Sequence, residues 1–171
     1  MKSALVVVDV QNYFIGKDFK DLPKKIASHI ENSRGRYDFV LFAQFVNDKD
    51  SNFVKLFGWG KCTSPPETDI SPELQSFASV KNTFRKSTFS PFKSEKFVKF
   101  LKENGVGKVV VCGTDTEAYI YSSAIDAFDM GFVVEVLIDL CGSSHGKAAH
   151  ETGMRLFKEN LWGCIRHSKM E

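Results

Sequence analysis

Residues 109–132 read VVVCGTDTEAYIYSSAIDAFDMGF. Val109, Val110 and Val111 form a short β-branched apolar run that suits a strand covered on both faces. Gly113 breaks the run, and Thr114, Asp115 and Thr116 offer side-chain oxygens to cap a following helix. Ala118, Tyr121, Ala124, Ile125 and Phe128 then recur at helical spacing, and Gly131 ends the helix. Tyr119 falls in the first helical turn, at the carboxyl edge of a sheet, where open α/β sheets place their ligands.

Strand and helix alternate on both sides of this unit. Ala4 to Val8 is a first, nearly all-aliphatic strand. Leu22 to Ser33 is an amphipathic helix with Pro23 in its first turn, and His29 lies on its face with no partner nearby. Asp38 to Phe45 reads as a second strand, Pro72 to Phe77 as one helical turn, and Val80 to Phe84 as a third, shorter strand. Ser94 to Asn104 is an amphipathic helix closed by Gly105. Phe132 to Ile138 is a fifth strand, His145 to Asn160 the last helix, and Trp162 to His167 a short final strand. Six strands alternating with helices imply an α/β fold, a doubly wound parallel sheet with helices on both faces. A chain of 171 residues fits a single domain, residues 1–171, with a sizeable core.

Composition narrows the function classes. A net charge of +2 gives no case for a nucleic-acid or membrane-surface partner. No apolar run is long enough to span a bilayer. In MKSALVVVDVQ the apolar run is cut by Asp9 with no cleavage site following, which argues against a signal peptide. Cys62, Cys112, Cys141 and Cys164 are scattered and lack metal-site spacing, so reduced thiols in a cytoplasmic protein are expected. Most of the sixteen Phe residues read as core.

Two features stand out between the strands. Asp9 directly follows a buried strand, where a carboxylate is costly unless hydrated, paired or used; it reads either as a cap or as a working group. Residues 46–71 show little periodicity. Phe53, Phe57 and Trp59 there are interleaved with Gly and Pro, which suits a packed loop covering a pocket.

The chain resembles the isochorismatase-like cysteine hydrolases, which include nicotinamidases and related amidases, from Ala4 to about Phe157. Asp9, Gln11 and Phe14 match a D-x-Q-x-x-F motif that holds the general base in that family. Lys86, Phe89 and Phe92 match its K-x-x-F-x-x-F lysine segment. Gly113, Thr116 and Ile120 match its nucleophile segment, and the position of the nucleophilic Cys holds Tyr119. The resemblance implies strand order 3-2-1-4-5-6. It also implies a non-proline cis peptide at Thr114–Asp115, and an oxyanion hole from the amides of Asp115 and Tyr119. Asp139, Cys141, Ser143 and His150 match positions read as structural.

By this resemblance Asp9, Lys86 and Tyr119 are the candidate catalytic residues. Gln11, Phe14, Phe45, Trp59, Thr114 and Asp115 are the candidate substrate-binding ones, with Phe14, Phe45 and Trp59 covering the cleft. The Tyr119 hydroxyl is expected near Asp9 or Lys86, which pair with each other. Metal-bearing members place an Asp and His residues around the long loop; no His lies between His29 and His145, so no metal and no cofactor is expected. A small-molecule ligand or substrate and a homo-oligomer, dimer or tetramer, follow by analogy.

Three functions stay open. One is a hydrolase fold without thiol catalysis that keeps a small-molecule cleft. Another is a hydrolase of an amide or related bond that uses another nucleophile, such as Tyr119 or Cys141, or a water. The last is a generic nucleotide-binding domain, for which neither GxGxxG nor a P-loop is present.

Overall fold

A computed structural model describes residues 1–169. Six parallel strands form one sheet: β1 (Lys2–Val8), β2 (Phe39–Phe45), β3 (Thr83–Lys86), β4 (Val106–Gly113), β5 (Val133–Cys141) and β6 (Ile165–Arg166). Their spatial order is β3-β2-β1-β4-β5-β6, as expected. The helices are α1 (Leu22–Asn32), α2 (Asn52–Phe57), α3 (Glu95–Glu103), α4 (Tyr121–Asp129) and α5 (Lys147–Asn160). No helix among the described residues is long and apolar enough to cross a membrane.

The central strands are aliphatic throughout because both faces are covered. Ala4 to Val8 and Val109 to Val111 are buried and share one core with Ile26, Leu101, Ala124 and Phe157. Val8 sits opposite Ala43 of β2 on one side and Gly113 of β4 on the other. The chain reverses its winding between β1 and β4, so the loops after these two strands flank the crevice where such sheets bind ligands.

Several boundaries differ from expectation. The third strand is Thr83–Lys86, with Lys86 inside it and paired to Phe45. Val80 is exposed in a turn closed by Asn82 Oδ1, which accepts from the Ser79 N–H at 2.7 Å. The final strand shrinks to two residues after a 3₁₀ turn at Trp162–Cys164. Phe128, expected on the apolar face, is exposed. His29 is buried and pairs with the Tyr37 hydroxyl at 2.9 Å; burial and the Arg36 charge lower its pKa.

The long loop contains α2, which periodicity did not reveal because it has only six residues. Ser51 is its cap: Oγ accepts from the Val54 N–H at 3.3 Å, and Gly58 closes the helix at φ 64°. Ser51→Ala should lower the unfolding free energy by about 1 kcal/mol, the usual value of an N-cap, measured by urea denaturation. No change in the midpoint would mean that the cap does not hold this loop.

Candidate active site

The site grows from the end of β1. Asp9 has φ 52°, a left-handed conformation that costs a non-glycine residue about 1–3 kcal/mol and persists only where neighbours enforce it. Its N–H donates to Ala43 O at 3.0 Å, and its carbonyl accepts from Thr114 Oγ1 at 2.7 Å. This turn aims the carboxylate at β3, where Lys86 Nζ meets Oδ2 at 2.6 Å. The two side chains are 0% and 1% exposed. Lys86 Nζ also donates to Thr88 O at 2.8 Å. Oδ1 of Asp9 is buried without a hydrogen-bond partner among the described residues.

Burial dominates the electrostatics of the pair. It pushes the Asp9 carboxyl up to about 7 from an ordinary 3.8, against the pull of the Lys86 charge. Burial likewise lowers Lys86, against the pull of Asp9. With one ionisable proton between them, as an ion pair or as two neutral groups, the two side chains carry no net charge.

The turn after β4 faces this pair. The Thr114–Asp115 peptide is cis, as the resemblance implied. Thr114, Asp115 and Thr116 do not cap the helix. The Asp115 carboxylate accepts from the Ser144 N–H at 2.6 Å and Oγ at 2.9 Å, which ties the loop after β5 to the site. Thr116 Oγ1 lies 2.9 Å from Gly142 O and 2.7 Å from His150 Nδ1. With the hydroxyl donating to the carbonyl, the imidazole donates through Nδ1. The first turn, Thr116–Ile120, is a π-helical turn rather than the start of a regular helix. It packs on α5 at Gly153, where an added Cβ would lie 2.7 Å from Glu117 N.

Tyr119 leaves this turn and enters the crevice, 6% exposed. Its ring, not its hydroxyl, meets Lys86: Nζ lies 4.7 Å from the ring centroid. The expected hydrogen bond from the hydroxyl to Asp9 or Lys86 is not formed. The ammonium is already held by Asp9 Oδ2 and Thr88 O, and it sits against the ring face. Burial raises the phenol well above its ordinary pKa of 10.0, and the Asp9 and Asp115 charges add to the effect.

Five aromatic side chains close a circuit. From Tyr119 to Phe14, Trp59, Phe53, Phe89 and back, successive centroids are 5.4, 6.5, 5.7, 4.9 and 5.5 Å apart. Phe45, fully buried, packs against four of the five. All five rings line a cavity of about 520 Å³ whose wall also includes Asp115, Ser144 and His145, a size suited to a small molecule.

Of the expected binding residues, Phe14, Trp59 and Asp115 line the cavity, and Phe45 lies beneath it; of the expected catalytic ones, Tyr119 lines it. Gln11 and Thr114 do not reach it. Gln11 Nε2 donates to Phe45 O and Thr68 O, each at 2.8 Å, and Oε1 accepts from the Phe45 N–H at 2.7 Å. Gln11 therefore staples the long loop to β2, since a buried amide must satisfy every group. Phe53, Phe89 and His145 were not picked out for the site. Phe53 stood in the loop read as covering a pocket and Phe89 in the lysine segment, and neither signal says which rings turn inward; nothing in the sequence marked His145.

A family model for the isochorismatase domain matches residues 3–167. The chain belongs to the isochorismatase family. Among solved structures, an isochorismatase-like hydrolase from Alkaliphilus metalliredigens superposes with TM-score 0.84 at 22% identity, covering 98% of this chain and 96% of that one. The nicotinamidase/pyrazinamidase of Bacillus subtilis gives 0.80 at 21%, covering 98% and 100%. The N-carbamoylsarcosine amidase of Thermoplasma acidophilum gives 0.81 at 20%, covering 100% and 99%. No curated protein sequence matches the chain.

The metal position of some isochorismatase-family members does not fit the residues here. Asn47 Nδ2 donates to Trp59 O and Lys61 O, while its Oδ1 accepts from Ser51 Oγ. Asp48 Oδ1 accepts from the Asp50 N–H, and Asp50 pairs with Lys55. These groups brace the loop rather than converge on an ion. Elsewhere, Asp115, Glu117 and His145 each bring one ligand atom within 4.8 Å of the others, but both Asp115 oxygens are engaged by Ser144.

Proposed function

We propose that this isochorismatase-family protein lacks thiol catalysis and retains its crevice as a small-molecule binding site. Tyr119 stands where the resemblance puts the nucleophilic Cys, and the position of its ring carries this reading. The ring lies against the Lys86 ammonium and between Phe14 and Phe89, in space that a thiol and a substrate carbonyl would share. Asp9 and Lys86 then serve as a buried pair at the switch point.

The cysteines support the same reading. Burial raises the thiols of Cys62 and Cys141 to about 12, and raises Cys112 and Cys164 as well; a nucleophilic thiol needs the opposite shift. Cys62 is fully buried, with Sγ 3.7 Å from Phe45 O. Cys141 Sγ turns back along its own strand to Leu137 O at 3.3 Å.

The wild-type protein should show no iodoacetamide-sensitive hydrolysis of nicotinamide or related amides. Tyr119→Cys should gain such turnover by at least about tenfold over the wild type, 1.4 kcal/mol of barrier. Iodoacetamide-sensitive turnover by the wild type at ordinary enzymatic rates would defeat the proposal. A second reading, water-based hydrolysis, is favoured by one observation: Asp9 keeps a free oxygen and a pKa near neutrality, as a general base requires. Wild-type turnover that resists iodoacetamide and disappears in Asp9→Asn would select it.

A further inference from the structure

We infer that the crevice recognises a small organic cation with a quaternary-ammonium head; this rests on the reading of the crevice as a binding site and adds the class of its ligand. Two independent features of the cavity point the same way.

The first is the wall. Phe14, Phe53, Trp59, Phe89 and Tyr119 form a closed aromatic circuit with neighbours 4.9–6.5 Å apart. Aromatic faces are the negative part of the ring quadrupole, so a cavity with five aromatic rings in its lining favours a weakly hydrated cation. A trimethylammonium group offers no N–H, so its methyl groups can rest on the aromatic part of the wall without a hydrogen-bond acceptor.

The second is charge. Asp115 lines the cavity, and Glu117 lies behind it, 3.2 Å from His145. Glu117 Oε1 accepts from Ser143 Oγ at 2.7 Å, while Oε2 is buried with no partner among the described residues. Two carboxyl groups share this side of the cavity with one imidazole, so acidic groups outnumber basic ones there. Lys86, behind the Tyr119 ring, is paired with Asp9 at 2.6 Å. An anionic ligand would meet two carboxyl groups against one imidazole on this side.

The test titrates full-length protein with choline, with its uncharged carbon analogue in which tert-butyl replaces trimethylammonium, and with benzoate. Binding is read by calorimetry and by the fluorescence of Trp59, with Trp59→Phe identifying its share of the signal. Choline should bind at least about tenfold more tightly than the uncharged analogue, and benzoate least. Glu117→Gln keeps an oxygen for Ser143 and should weaken choline about three- to tenfold while leaving the uncharged analogue unchanged. Circular dichroism confirms that the variant is folded, and Phe89→Leu provides a second variant that weakens choline by opening the aromatic circuit.

Equal or tighter binding of the uncharged analogue would overturn the cation and leave a binding crevice. Tightest binding of benzoate would do the same. A calorimetric response to zinc without one to choline would overturn the cation in favour of a metal ion. No response to any probe up to high millimolar concentration would overturn both the cation and the binding crevice.

Discussion

Replacing Lys86 by Met is expected to lower the unfolding free energy by about 3–5 kcal/mol at about pH 8, because it strands a buried carboxylate. Asp9 is completely buried, and one of its oxygens already lacks a partner. The loss should depend on pH. In the folded wild type Asp9 holds its proton up to about 7, against 3.8 in an unfolded chain; without the ammonium its folded pKa rises further. Between the unfolded and folded values the folded variant binds more protons than the unfolded one, so its stability falls as pH rises through that window. Urea denaturation at about pH 5 should therefore show a smaller penalty than at about pH 8. Asp9→Asn combined with Lys86→Met removes both charges and should recover a good part of the loss. Asn also tolerates the left-handed backbone of residue 9. A penalty below about 1 kcal/mol at both pH values would mean that the pair is solvated in solution.

Gly113→Ala should cost about 3 kcal/mol or more, from two sources of about 1–3 kcal/mol each: left-handed strain and overpacking. Gly113 has φ 124°, and an added Cβ would run into the backbone oxygen of Val8, with Val8 N at 2.9 Å. Val8 cannot retreat, because β1 is held between β2 and β4 by ladders on both sides. Gly60→Ala is the control. Gly60 has open space around its Cβ position and no left-handed φ, so the change should be neutral or stabilising by up to about 1 kcal/mol. Thermal and urea unfolding of the two variants give the comparison. A Gly113→Ala protein as stable as the Gly60→Ala protein would show that β1 and β4 do not approach as closely as described.

The alternation of aliphatic runs with amphipathic segments carried the fold class, because a strand buried on both faces and a helix buried on one have different periods. Long, strongly periodic elements such as α1 and α3 ended within about a residue of expectation. Short ones did not. The third strand moved from Val80–Phe84 to Thr83–Lys86, because only residues opposite Phe42 to Phe45 find a partner. Helix α2 rests on one cap and one glycine, too little for a periodic signal.

The candidate site divides in the same way. Asp9 after β1 was legible as a carboxylate out of character beside an apolar strand; Lys86 in β3 and Tyr119 after β4 were singled out by the resemblance, which also supplied the strand order that brings the three together. Their contacts were not legible. Lys86 meets the face of the Tyr119 ring instead of its hydroxyl, its ammonium already held by Asp9 Oδ2 and Thr88 O. Gln11 reads like a ligand contact and acts as a staple, since every polar atom of its amide meets backbone of the loop or β2.

The sequence by itself determined the α/β architecture and the strand that leads into the site, because these follow from local periodicity, and it marked Asp9, because a charge follows an apolar run; Lys86 and Tyr119 came from matching the family's motifs. Only the tertiary structure decided which aromatics of the long loop face inward, that Asp115 latches the loop after β5 rather than capping a helix, and that Asp9 keeps one oxygen free. Those outcomes depend on which groups meet across tens of residues, and a hydrogen bond or ring contact is set by angstroms that no spacing along the chain encodes.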